Sequence, residues 1–234
     1  MTADEMKKAA ALEAMTYVKA GMNIGLGTGS TAKHFIEALG AQVKLGLDVR
    51  CVPTSRATAE LAQKLGIKTT TLEEHPFLDL TVDGADEFDS KFRLIKGGGG
   101  ALLVEKIVAS SSRLMIVIAD ESKQVKKLGK FPVPVECVPF GVRATSWKME
   151  RVFDFLKLKV KMTLRVDGKQ PFVTDSKNII IDCALGEIPE PERLDTMLNS
   201  VPGVVDTGIF CGICGTVLMG TPKGVKKFKN LTTP

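Results

Sequence analysis

Histidine is scarce: the 234-residue chain has two, His34 and His75. Neither has metal-ligand spacing, which argues against a zinc site. So few also leave no convincing Ser-His-Asp or Cys-His arrangement. No apolar run approaches the length that spans a membrane. The opening stretch MTADEMKKAAALEAM is amphipathic and carries acids, unlike a secretory signal or a transit peptide. The five cysteines, Cys51, Cys137, Cys183, Cys211 and Cys214, are odd in number and scattered, as expected of a chain kept reduced in the cytoplasm. Cys211-Gly-Ile-Cys214 has no partner pair elsewhere, so it reads as two reduced, partly buried thiols rather than a redox or zinc motif. Strong charge is missing too. A net charge of +5 suits an anionic small molecule without demanding nucleic acid. The basic stretch Lys223-Gly-Val-Lys-Lys-Phe-Lys229 reads as a solvated end.

What is present is ordinary globular composition, 44% hydrophobic and 25% charged. It is enough for a sizeable core in one or two domains. Residues 3–18 read as a helix stopped by Gly21, and residues 23–27 as a short strand. Thr28, Gly29, Ser30 and Thr31 then open a helix reaching about Leu39. Strand, Gly/Ser/Thr turn and helix start together form a phosphate cradle, because free N–H groups and hydroxyls meet an anion at the positive end of the helix dipole. The stretch lacks the Gly-Lys-Ser/Thr ending of a nucleotide P-loop, and Gly25-x-Gly27-x-Gly29 misses the dinucleotide spacing. By itself it fits a plain N-cap and tight turn equally well.

Strand 48–52, helix 57–65 and strand 67–71 continue the alternation, which points to α/β architecture with a doubly wound parallel sheet. Residues 114–119 are a buried strand by composition. Lys123 follows it, as a phosphate partner at a strand end or as a surface lysine. Phe131-Pro-Val-Pro-Val135 suits an edge strand or a linker. From there to about Pro202 the order changes to strand, helix 146–156, strand 159–166, turn, strand 179–183 and helix 191–199. That is the pattern of a smaller inserted α+β domain of ferredoxin-like type. The expected division is 1–130 with 203–234 for the doubly wound domain and 131–202 for the insertion.

The densest chemistry lies in residues 83–106, DGADEFDSKFRLIKGGGGALLVEK. A strand ends at Asp83-Gly84, and a second short run feeds Lys96 and four glycines at a helix start. Carboxylates and a lysine beside an anion-friendly loop suit acid–base chemistry on an oxyanionic substrate. The acidic spacing is not that of a calcium loop. Asp83 and Asp86 lie closest to the strand end, whereas Glu87 and Asp89 read as a solvated turn. Glu105 fits a surface acid favoured by the helix dipole somewhat better than it fits a general base.

Gly27-Thr-Gly-Ser-Thr31, Asp83-Gly-Ala-Asp86, Lys96-Gly-Gly-Gly99, Glu105 and Ala119-Asp-Glu-Ser-Lys-Gln-Val125 together resemble the type A ribose-5-phosphate isomerases over nearly the whole chain. The resemblance implies a Rossmann-like domain with a smaller α+β insertion. It also implies an aldose–ketose isomerase interconverting ribose 5-phosphate and ribulose 5-phosphate without metal or cofactor. Glu105 becomes the expected base, and Asp83 and Asp86 the acids that handle sugar hydroxyls and ring opening. Lys96 with the backbone of Gly97, Gly98 and Gly99 would stabilise the enediolate. Thr28, Gly29, Ser30 and Thr31 would hold phosphate, assisted by Lys123 and Lys7, with Gly84 and Ala85 lining the substrate. A cytoplasmic homodimer or homotetramer is implied as well, with no nucleic-acid or membrane partner. Gly100 adds a fourth glycine to the family pattern. The alternatives are a non-catalytic sugar-phosphate sensor and a coenzyme A transferase of related fold. A sensor would need no base, and the pairing of DGAD with KGGG argues against the transferase.

Overall fold

The computed structural model describes residues 1–230. In chain order, α1 (Ala3–Ala14) leads into β1 (Asn23–Leu26), α2 (Ser30–Lys44), β2 (Arg50–Pro53), α3 (Arg56–Lys64) and β3 (Leu80–Asp83). Two short strands follow, β4 (Glu87–Phe88) and β5 (Leu94–Ile95), then α4 (Leu102–Ser110) and β6 (Met115–Asp120). Next come β7 (Val133–Cys137), α5 (Val142–Phe155), β8 (Lys161–Leu164), β9 (Val166–Asp167) and β10 (Gln170–Pro171). They are followed by β11 (Ile179–Ala184), α6 (Pro191–Asn199), β12 (Val204–Thr207), β13 (Ile209–Phe210), β14 (Cys214–Thr221) and β15 (Gly224–Lys229). The chain forms two compact units. Of the described residues, one contains Met1–Ala85, Val104–Gln124 and 212–230; the other contains Asp86–Leu103 and Val125–Cys211.

The first unit is built on a six-stranded sheet of order β15-β14-β6-β3-β1-β2. Five strands are parallel and β15 is antiparallel to β14. β6 (MIVIAD) and β14 (CGTVLMGT) are buried along their whole length, which is why their residues run apolar instead of alternating. α1 begins with a capping box between Thr2 and Glu5. Its small residues Ala10, Ala11 and Ala14 join Phe35, Ile36 and Leu39 of α2 in one core with Ile24, Leu26, Leu80, Val82, Ile116, Ile118 and Leu218. Each fully buried leucine or isoleucine there contributes about 1.5–3 kcal/mol. The strand order reverses between β1 and β3, since β2 lies on one side of β1 and β3 on the other. Such a reversal opens a crevice at the carboxyl ends of the strands, where α/β sheets bind ligands.

Two expectations change in this unit. Residues 67–71 do not form a strand; they make a single parallel bridge, Cys51 to Thr69. Of that stretch only Ile67 is buried, so no apolar face holds it to the sheet. The basic stretch near the end is not a solvated tail. It forms the edge strand β15, with Lys226, Lys227 and Lys229 exposed. Charged side chains on an edge oppose pairing with another chain, and Lys227 Nζ also meets Glu13 at 2.5 Å.

The second unit has a four-stranded antiparallel sheet of order β12-β7-β11-β8. With α5 and α6 between strands, the order is that of a ferredoxin-like fold. Alternation is strict. Val133, Val135 and Cys137 of β7 and Ile179, Ile181 and Cys183 of β11 enter one core with Met149, Phe153, Leu194 and Leu198 of the helices. The intervening residues, Pro134, Glu136, Ile180 and Asp182, point to the opposite face. A small three-stranded sheet, β13-β5-β4, completes the unit. These pairings bring Asp86–Leu103 into the smaller unit, so it extends beyond the 131–202 insertion read from composition.

Pro134, expected on an edge or in a linker, lies in an interior strand. Its carbonyl accepts from Gly208 N at 2.7 Å, just past the end of β12, so its missing N–H falls where that ladder has stopped. Glu87 and Asp89, expected in a solvated turn, are both buried. Glu87 accepts from the N–H groups of Gly129 (2.8 Å) and Phe131 (2.6 Å). Asp89 accepts from Arg93 Nε at 2.7 Å and from the Lys91 N–H at 2.9 Å. Buried carboxylates need such partners, and here they brace the segment between β4 and β5.

Candidate active site

In the first unit, β1, β3 and β6 are parallel neighbours, so their carboxyl ends lie along one sheet edge. The edge carries Gly27–Thr31 after β1, Asp83–Ala85 at the end of β3 and Lys123 in the short turn after β6. Asp83 is fully buried. Its Oδ1 accepts from the N–H groups of Thr28 (3.1 Å) and Gly84 (2.7 Å) and so ties the two strand ends together. Gly27 is required for this approach, because a Cβ there would overlap the Asp83 carboxylate.

The Thr28 hydroxyl is a hub. It donates to Ser55 Oγ at 2.9 Å and lies 2.8 Å from Thr54 Oγ1 and 3.0 Å from Thr58 Oγ1. The Thr54 and Thr58 hydroxyls donate in turn to the carbonyls of Leu26 and Gly27. Behind this loop, α2 starts at Gly29 with no side chain capping its first N–H groups. An uncapped helix start favours an anion. Lys7 Nζ donates to Ser30 Oγ at 3.2 Å, which puts an ammonium beside that start. Lys123 is half-buried, in a turn that Asp120 caps through the Ser122 N–H. Glu105 lies in the first turn of α4 and is buried, on a helix rich in leucine and valine. Thr31 is buried, and Gly84 and Ala85 are half-buried.

The second unit carries Asp86, Lys96 and the glycines. Asp86 N donates to Ile95 O at 2.8 Å, and Asp86 Oδ2 accepts from Gly98 N at 2.8 Å. Lys96, buried to 2% exposure, extends β5 through its N–H bond to Gly208 O (2.9 Å). Its ammonium stands 5.7 Å from the Phe210 ring centroid. Gly97–Gly100 is a turn closed by Gly100 N to Gly97 O at 2.9 Å, with Gly97 at φ +93°.

Two features escape a reading of the sequence. The hydroxyls of Thr54, Ser55 and Thr58 give no signal beyond an ordinary helix cap. Arg165, 68 residues from the glycines, donates from Nη1 to Gly97 O at 2.8 Å. All five cysteines are free thiols, and burial pushes Cys51, Cys137 and Cys211 up to about 12, which leaves little thiolate at neutral pH. Among the described residues no three His, Cys, Asp or Glu side chains are grouped so as to hold a metal ion.

Known proteins resemble this chain in sequence and in fold. The family model for ribose 5-phosphate isomerase A (phosphoriboisomerase A) matches residues 50–224. A ribose-5-phosphate isomerase A of Parvibaculum lavamentivorans is 57% identical over 96% of this chain and 97% of its own. One from Rhodopseudomonas palustris strain BisB5 is 52% identical over 97% and 98%. Among solved structures, the Plasmodium falciparum ribose 5-phosphate isomerase superposes with a TM-score of 0.92 at 40% identity, covering 97% of this chain and 99% of that one. A D-ribose-5-phosphate isomerase in complex with phospho-erythronic acid does so with 0.91 at 39% identity, covering 98% and 100%. On these matches, running nearly end to end, the chain belongs to the ribose 5-phosphate isomerase A family.

Proposed function

We propose that this chain interconverts D-ribose 5-phosphate and D-ribulose 5-phosphate through an enediolate, with Glu105 as general base and no metal. Family membership supports the isomerisation. The observation that carries the assignment of roles is the tie from Asp83 to the Thr28 and Gly84 N–H groups, beside a helix start with Lys7 at its mouth. It joins an anion cradle to a buried carboxylate in one unit, as a phosphorylated sugar with hydroxyls to be handled requires.

In this reading Thr28, Gly29, Ser30 and Thr31 hold the phosphate, with Lys7 and Lys123 adding charge. Gly84 and Ala85 line the sugar. Asp83 and Asp86 bind hydroxyls and assist ring opening to the aldehyde. Glu105 takes the proton from C2, and negative charge develops on the carbonyl oxygen. Lys96 and the N–H groups of Gly97, Gly98 and Gly99 receive that charge, the Gly98 N–H turning to it from Asp86 Oδ2. The oxygen at C1 is protonated, the hydroxyl at C2 gives up its proton, and Glu105 returns its proton to C1. Base catalysis contributes about 10²–10⁴-fold and oxyanion contacts about 10²–10³-fold. The same reading makes the enzyme a cytoplasmic homodimer or homotetramer acting on a small sugar phosphate, with no nucleic-acid or membrane partner. Among the described residues no helix is long and apolar enough to cross a membrane.

The test is ribose 5-phosphate added to chelator-treated protein in D₂O, followed by NMR. Ribulose 5-phosphate carrying deuterium at C1 is the expected result. Product without deuterium would replace the exchanging enediolate with a shielded proton or a hydride shift. Saturable binding without product would favour a sugar-phosphate sensor.

A further inference from the structure

We propose that Arg165 is a positioning residue for the isomerisation, fixing and polarising the two peptides that aim the Gly98 and Gly99 N–H groups. The proposal rests on the role given above to the glycine turn.

Arg165 falls in the single-residue gap between β8 and β9, where its backbone is pinned on both sides. Its N–H donates to Ile180 O at 2.8 Å, and its carbonyl accepts from Phe172 N at 2.9 Å. The guanidinium is then divided between two tasks. Nε and Nη2 grip Asp182 at 2.9 and 2.5 Å, a paired contact that fixes the plane of the group. Nη1 donates to Gly97 O at 2.8 Å and to Gly98 O at 3.2 Å. One face of the guanidinium stands 5.9 Å from the Phe172 ring centroid. The same ring packs so closely on Gly100 that a Cβ there would overlap it. Phe172 is held in turn by the segment after β10. That segment is tied to β7, where the buried Glu136 accepts from Thr174 Oγ1 at 2.8 Å and Asn178 Nδ2 at 3.0 Å.

The consequence follows from peptide planarity. In a trans peptide the C=O and the next residue's N–H point in opposite directions. Turning the Gly97 and Gly98 carbonyls toward Arg165 therefore turns the Gly98 and Gly99 N–H groups away from it. The direction is visible for one of them, since Gly98 N donates to Asp86 Oδ2 at 2.8 Å. The Gly98 carbonyl, held by the same guanidinium, likewise turns the Gly99 N–H away from Arg165. A cation on the carbonyls also draws electron density from the peptides and strengthens their N–H groups as donors. Glycine has no side chain to hold a turn, so without this grip the turn would sample many conformations. Lysine would supply the charge but not the two-sided fork.

The experiment compares Arg165→Ala, Arg165→Lys and Asp182→Asn with the parent enzyme in ribose 5-phosphate isomerisation, each checked for folding by thermal melting. The expected result for Arg165→Ala is a fall in kcat of about 10²-fold with KM within about threefold, because the loss is one of alignment. Millimolar guanidinium should restore part of it. Arg165→Lys and Asp182→Asn should give smaller losses of the same kind. A folded Arg165→Ala enzyme with kcat within threefold of the parent would overturn the proposal, as would a change confined to KM or a loss that guanidinium does not relieve. If Arg165→Ala does not fold, the other two variants decide on the same kcat and KM criteria. An inactive parent enzyme would instead refute the function proposed above.

Discussion

The two glycine loops are held in different ways. Gly27–Thr31 rests on neutral hydroxyls and on one carboxylate that accepts from the Thr28 N–H, with a helix start behind it. Gly97–Gly100 has ionic side chains on both polarities of its backbone, Asp86 on an N–H and Arg165 on two carbonyls. The contrast fits the two kinds of charge they are proposed to meet. A phosphate is a permanent anion, so a helix dipole and a few hydroxyls suffice. An enediolate exists only transiently, and the donors that meet it must be aimed before it forms. The first loop should therefore govern binding, and the second should govern turnover.

The largest expected effect tests what both loops serve. Glu105→Gln should bind substrate and lose at least about 10²-fold in kcat, read from isomerisation and from exchange of the C2 proton. Near-parental turnover would leave the comparison without its chemistry. Next, Gly27→Ala forces a methyl group into the Asp83 carboxylate, at a cost of about 1–3 kcal/mol in denaturant unfolding. An unchanged midpoint would mean that the strand-end tie is loose. Lys7→Met should raise KM about tenfold and leave kcat nearly unchanged, with an effect that shrinks as salt rises. A fall in kcat instead would erase the division between binding and turnover.

The smallest effect lies on α1, the helix that brings Lys7 to the first loop. The hydrogen bond from the His34 ring holds the Asp4 carboxyl below its usual 3.8. A depressed carboxylate stabilises the fold above its ordinary range and loses that contribution as pH falls through the lowered value. Asp4→Asn should thus lower the melting temperature slightly at neutral pH, and the difference should vanish well below about pH 3.9. A difference that persists in acid would assign the effect to packing.

Much of this was legible in the residues. α6 is the helix expected at 191–199, and the other helices agree within a few residues. The ferredoxin-like order followed from the succession of elements. The motifs of the candidate site were readable because each is contiguous: Asp83-Gly-Ala-Asp86 and Lys96–Gly99 carry their meaning in a few adjacent positions. The misreadings share a cause. Glu87 and Asp89 look like a polar turn, and their burial depends on Gly129, Phe131 and Arg93 arriving to satisfy them. Lys223–Lys229 looks like a tail until β14 offers it an open edge. Pro134 is tolerated inside a sheet only because the neighbouring strand ends beside it.

By itself, then, the sequence determined the periods and the local chemistry: which residues alternate, where turns bend, and which short runs bring acids, lysine and glycine together. Only the tertiary structure decided which distant side chains complete those runs. Thr54, Ser55 and Thr58 reach Thr28 because β1 and β2 are parallel neighbours. Arg165 reaches Gly97 because β8 pairs with β11, which sets its guanidinium against Asp182. Alternation tells which face a residue takes, but not what will lie across from it. That depends on strand order, which is settled by the packing of the whole unit.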